Sequence, residues 1–163
     1  MEVTAGRFTA RLAETDEDVR AAQRLRYRVF VEEMGASASQ QEHDDRRESD
    51  SFDAHCDHLI LFDTESEETD PLDRVIGVYR LLRGSVAKAG PGYYSAAEFD
   101  LEKIIAYPHE TLELGRSCVH ANYRSGAAMQ LLWMALAQYI YTHKLRLLFG
   151  CLLYTSPSPR DRG

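Results

Sequence analysis

The chain has 163 residues, 44% of them hydrophobic and 28% charged, with a formal net charge of −7. That size and balance fit one globular domain with a real core. The acidity excludes the basic footprint of a general nucleic-acid binder, and no run of about 18 apolar residues offers a membrane span.

"MEVTAGRFTARLAETDEDV" lacks a basic segment followed by an apolar one, so no signal peptide is read. Cys56, Cys118 and Cys151 are scattered and odd in number, which fits a reducing cytoplasm better than a disulfide framework. Residues 7–12, "RFTARL", alternate as a strand. Thr15 and Asp18 then stand at capping-box spacing in an acidic first turn, which predicts a helix over 16–33 stopping near Gly35. Residues 36–50 read as a long polar loop. "HLILF" (58–62) and "VIGVYRLL" (75–82) read as core strands pairing as a hairpin, with Gly77 marking a bulge or a close backbone approach. "GSVAKAGPG" reads as loop, and Ser95 with Glu98 as a capped helical turn. A strand over 112–119, a helix over 126–143 and a strand over 146–151 complete the order, the last strand–helix–strand unit being parallel and right-handed. The sum is an α/β fold, mixed α+β, with a central mixed sheet flanked by helices. "LLYTSPSPRDRG" (152–163) reads as a non-native or disordered tail, so the expected domain is 1–151, cut short after its fifth or so strand.

Charges sit where a core should be. At 100° per residue Val19, Ala22, Leu25, Val29 and Phe30 share one helix face, and Arg26 falls inside it. A buried arginine needs carboxylates or an open ligand cleft. "ESDSFD" supplies Glu48, Asp50 and Asp53, which would pair with Arg26 or hold a substrate ammonium. Arg80, Glu113 and Arg116 lie in otherwise apolar strands, and alternation puts Leu112, Leu114 and Arg116 on one face with Glu113 on the other. Arg20, Arg24 and Arg28 step along the far side of the first helix, either as an exposed basic stripe or paired with Asp16 and Glu17. "HCDH" (55–58) matches no common metal-ligand spacing, so no metal centre is expected. No serine or cysteine stands in a recognisable nucleophile motif.

At these residues the chain resembles the GNAT-type N-acyltransferase superfamily, and within it the acyl-carrier-protein-dependent branch. "RYRVF", "ESDSFD", "VIGVYRLL" and "LELGR" are similar to the pattern of autoinducer (acyl-homoserine lactone) synthases. The fuller run, with "GYYSAAEFDL" and "LELGRSCVHANYRSGAAMQLLW", resembles the ornithine N-acyltransferases, a group sometimes labelled hemolysin-like, over about residues 7–151. The tryptophan that autoinducer synthases place after the first helix is absent from "VEEMGASAS".

The resemblance implies a GNAT-like fold in which the last two strands splay around the donor's pantetheine arm. It implies transfer of a (3-hydroxy)acyl chain from an acyl-carrier-protein thioester to the α-amine of ornithine, with no tightly bound cofactor. It carries over Arg26, Phe30, Glu48, Asp50, Asp53 and Arg80 as substrate-binding residues and Glu113 and Arg116 as catalytic ones, Glu113 as the base. Amides near Cys118 and Val119, with Arg124 and Gly126, would hold the donor. Arg124 is followed by "SGAAM" rather than the glycine-rich loop of acetyl-CoA users, which suits a carrier-protein donor with one phosphate on its arm. The basic stripe would then dock the acidic carrier protein, and peripheral contact with the inner membrane stays open. Other members of the superfamily, a lactone synthase or an acetyl-CoA-dependent acetyltransferase, and an inactive truncated fragment are the alternatives. Family members continue well beyond this length, which fits truncation.

Overall fold

The computed structural model describes residues 1–150; Cys151 and the expected tail at 152–163 lie outside the described residues. Six strands form one sheet in the order β1 to β6: β1 Glu2–Ala5, β2 Phe8–Leu12, β3 Asp57–Asp63, β4 Val75–Arg83, β5 Thr111–Val119 and β6 Leu147–Gly150. Neighbours are antiparallel except β5 and β6, which are parallel, as a strand–helix–strand crossover requires. The short β1, paired to β2 through Gly6 in a left-handed turn, is an element that sequence periodicity did not reveal.

Helices cover both faces. α5 (Ala127–Thr142) lays Leu131, Leu132, Ala135 and Tyr139 against Leu59, Leu61, Ile76 and Leu112. α1 (Asp16–Arg26) packs Ala21, Ala22 and Leu25 on the other face against Ile60, Val78 and Cys118. The continuous apolar run of β3 follows from this, since Leu59 and Leu61 point to one helix and Ile60 to the other. Each such buried leucine or isoleucine contributes roughly 1.5–3 kcal/mol.

Thr15 and Asp18 make the expected capping box. The helix does not stay α-helical to residue 33: at Tyr27 it widens into a π-helical segment, Tyr27–Glu33, which ends before Gly35 in a left-handed conformation. Two expected loops contain helices. α2 (Gln40–Asp45) is started by a reciprocal Ser39–Glu42 capping box and tethered by His43 to the Tyr27 hydroxyl at 2.9 Å. α3 (Gly84–Ala89) follows β4 directly, and α4 (Glu102–Ile105) is a single turn. Gly77 is both features expected of it: β3–β4 pairing slips beside it, and an added Cβ would meet Leu61 at 3.3 Å.

Candidate active site

Arg26 is the residue on which the interior turns. It lies on the buried side of α1 with 0% exposure, and three carboxylate contacts balance its charge. Its Nε donates to Glu48 at 2.7 Å, and its Nη atoms form a fork on Asp53 at 2.7 and 3.2 Å. Asp53 also accepts from Arg80 at 3.0 Å and from the Gln23 amide at 3.0 Å. Asp50 accepts from Arg80 at 2.6 Å, and Arg116 reaches Glu48 at 3.3 Å. Three guanidiniums and three carboxylates therefore neutralise one another between α1, the 48–53 segment, β4 and β5.

The 48–53 segment is presented by backbone ties. Glu48 N–H donates to the Gln23 carbonyl, and a turn over Asp53–His55 is held by His58 Nε2 on the Asp53 carbonyl at 2.9 Å. Burial disfavours the charged forms of both Arg26 and Asp53. Their mutual attraction, with Glu48 and Arg80, wins: Arg26 stays firmly protonated and the Asp53 carboxyl is held well below the usual range.

Burial also opposes ionisation of Asp63 at the sheet's far end, but the hydrogen bond from Arg7 outweighs it and lowers that carboxyl to about 2. Depressed carboxyl pKa values stabilise the fold above the unfolded value near pH 4, and that contribution drains away as pH falls through the folded values. Urea unfolding at descending pH is expected to show stability flat near neutrality and declining below about pH 4. A curve still flat at pH 3 would contradict these pairings.

β5 places its charges differently from simple alternation. Arg80 pairs with Gly115 but Val78 with Cys118, so β5 carries one extra residue there, and Arg116 adopts φ +48° within this bulge. The bulge turns the Arg116 guanidinium onto the Glu113 side, where both line one cleft with Arg80, Phe52, Tyr94 and Ser95. The expected separation of Glu113 and Arg116 onto opposite faces is thus corrected. Arg80 and Arg116 both lie over the Tyr94 ring, 5.3 and 5.5 Å from its centre, and Arg116 also faces Phe30 at 5.6 Å.

Glu113 is 4% exposed, and its two oxygens accept the Tyr94 and Ser95 amides at 2.7 and 2.8 Å. Ser95 is therefore not the cap expected with Glu98; it sits inside a 3-10 turn, Tyr94–Ala97, clamped onto the Glu113 carboxylate. Nothing in the local pattern announced this, because the clamp joins segments 18 residues apart.

The residues assigned to the donor divide. The Cys118 side chain is buried beneath α1, and burial pushes its thiol up to about 12, as it does for Cys56. Neither is a thiolate at neutral pH, which leaves no activated sulfur nucleophile among the described residues. β6 pairs β5 only from Thr111 to Leu114; beyond that point the outer edge of β5, including Cys118 and Val119, has no partner strand among the described residues. Arg124 forks onto Glu33 at 2.7 and 2.6 Å and bonds the Val119 carbonyl. Gly126 starts α5 with φ +73°.

The exposed basic stripe on α1 is not present. Arg24 is buried, bonding the Arg46 carbonyl, Asp70 and Asp73. Arg28 meets Asp73 and His120, so of the three only Arg20 is exposed. The acids that neutralise Arg24 and Arg28 come from a distant turn, not from Asp16 and Glu17.

The described residues thus form a mixed six-stranded sheet covered by helices on both faces, with a charged cleft beside β4 and β5. Solved structures of similar fold include FeeM, an N-acyl amino acid synthase from uncultured soil microbes (TM-score 0.57, 15% identity, covering 87% of this chain and 70% of that one). The AHL synthase LasI is also similar (TM-score 0.55, 19% identity, covering 87% and 71%).

The chain belongs to the GNAT acetyltransferase family: the Acetyltransferase (GNAT) domain model matches residues 25–134. It is 48% identical over 143 residues to an L-ornithine N(alpha)-acyltransferase of Rhodobacter capsulatus, covering 88% of this chain and 55% of that protein. It is 40% identical over 156 residues to one of Agrobacterium fabrum, covering 94% and 53%. The chain thus spans about half the length of the curated relatives it matches. Among the described residues no helix is long and apolar enough to cross a membrane.

Proposed function

We propose that this chain carries the acyl-transfer site of an L-ornithine Nα-acyltransferase, moving a (3-hydroxy)acyl chain from an acyl-carrier-protein thioester to the α-amine of ornithine. The observation that carries this reading is the 48% identity to the Rhodobacter capsulatus enzyme of that name, over 143 residues and 88% of the chain. The cleft supplies matching chemistry. An amine attacking a thioester must lose a proton, meet a polarised carbonyl and be held close to it.

Glu113 takes the proton as the amine nitrogen bonds to the thioester carbon. Amides on the outer edge of β5 near Cys118 and Val119 face the developing oxyanion. The C–S bond then breaks, the carrier thiolate recovers the proton from Glu113, and the products are an amide and a free thiol. Arg80 and Arg116, their charges balanced by Asp50, Asp53 and Glu48, line the cleft with guanidinium donors suited to the amino acid's carboxylate, with Phe30 backing Arg116. Arg26, Glu48 and Asp53 hold those donors in place, and Asp50 couples them to the 48–53 segment.

A carrier-protein donor fits the region after β5, where Arg124 is engaged by Glu33 and the turn through Gly126 is not glycine-rich. Such a turn offers little to the several phosphates of coenzyme A. The reaction belongs to the cytoplasm, with its lipid product passing to the inner membrane.

The test is to incubate the chain with 3-hydroxyacyl carrier protein, or with acetyl-CoA, and a panel of amines, and to read products by mass spectrometry. Acyl-ornithine from the carrier donor is expected. Acylation of S-adenosylmethionine, acetylation from acetyl-CoA, or no product with any amine would each overturn the reading.

A further inference from the structure

The cleft holds a polar atom that the mechanism above leaves unused. Ser95 is 6% exposed, and its hydroxyl is buried with no hydrogen-bond partner. It nevertheless lines the cleft, beside Glu113, Arg80 and Arg116. Its backbone is fully committed: the amide donates to Glu113 at 2.8 Å, and the carbonyl accepts from Glu98 and Phe99 at 3.1 and 2.9 Å. The turn is therefore fixed independently of the hydroxyl, and alanine would serve the turn as well. Buried hydroxyls are costly to leave without a partner and are normally satisfied by protein, water or ligand.

We infer that the Ser95 hydroxyl receives the α-amine of the amino-acid substrate. Resting on the ornithine reading above, the inference adds Ser95 as a substrate-contacting residue. A nucleophilic amine needs its N–H bonds directed away from the lone pair that attacks. One acceptor fixes an amine poorly, because the group rotates about that bond. Two acceptors fix it, and the clamp sets the Ser95 side chain next to the Glu113 carboxylate to which its own amide is bonded. With Glu113 taking one N–H and Ser95 Oγ a second, the lone pair is left to face the outer edge of β5. The guanidinium donors of Arg80 and Arg116 suit the carboxylate of the same amino acid, so the arrangement selects an α-amino acid over a simple amine.

The test compares wild type with Ser95→Ala. L-ornithine binding is measured by calorimetry, the KM values for ornithine and for the acyl-carrier-protein donor by kinetics, and Tm by thermal melting. Ser95→Ala is expected to raise the ornithine Kd and KM about tenfold, the effect of one hydrogen bond to a charged group. The donor KM should stay unchanged and Tm level or higher, because an unsatisfied buried hydroxyl has been removed. A merely structural serine would instead lower Tm and leave the ratio of the two KM values alone. Wild-type chain that binds and acylates ornithine, with Ser95→Ala matching it in ornithine KM, would overturn the inference and leave the functional reading standing. Wild-type chain that neither binds nor acylates ornithine would overturn both.

Discussion

Arg26→Ala is expected to remove about 3–5 kcal/mol from the unfolding free energy, the usual cost of deleting one partner of a buried ion pair. The side chain has no exposure, and its loss takes the shortest cation contacts from two carboxylates, Glu48 and Asp53, in the same interior. Urea unfolding reads the effect directly. Arg26→Lys should recover only part of it, since an ammonium cannot reproduce a guanidinium that serves Glu48 through Nε and Asp53 through both Nη atoms. Wild-type stability in the alanine variant would mean that the network is not closed around Arg26. The loss should reach the cleft as well, because Asp53 is shared with Arg80 and Glu48 with Arg116.

Glu113→Gln is expected to lower kcat by about 10²–10⁴-fold, the range attributed to a positioned proton-transfer group. The substitution also has a structural side. Both Glu113 oxygens accept backbone amides, so a glutamine would turn its NH₂ toward the Tyr94 or the Ser95 N–H. Tm and donor KM therefore accompany the kinetics. A large fall in kcat with the melting point and donor KM nearly intact identifies Glu113 as the base. A fall that tracks a loss of folded protein assigns it to clamping the 94–95 turn. Retained turnover excludes it from the chemistry.

Much of this was legible in the residues. The hydrophobic runs of β3, β4 and β5 and the breaker-free α5 announce themselves, because each is buried on one or both faces. Arg26 is readable as a partnered interior charge since its angular position on α1 conflicts with its chemistry, and of the two resolutions, carboxylates or an open ligand cleft, the fold supplies the carboxylates.

What stayed hidden depends on tertiary geometry. A single extra residue in β5 carries Arg116 to the side of Glu113, and alternation cannot anticipate a bulge that β4 imposes. Arg24 and Arg28 looked solvent-facing because their acidic partners, Asp70 and Asp73, arrive from a turn more than forty residues away. α2 escapes the pattern for a different reason: "SQQE" carries its capping box in plain view, but a six-residue helix without a buried residue has no apolar period to detect.

The neutralised interior also bears on how the domain comes apart. Arg26 lies 22 residues from Glu48 and 27 from Asp53, so no local segment can satisfy it alone. Prying the 48–53 segment loose would expose a bare cation under α1, and peeling α1 away would strand the acids. Each partial opening is penalised more than either element's own contacts would suggest. Helix and segment are thereby welded into one cooperative unit, which guards the wall of the cleft against fraying.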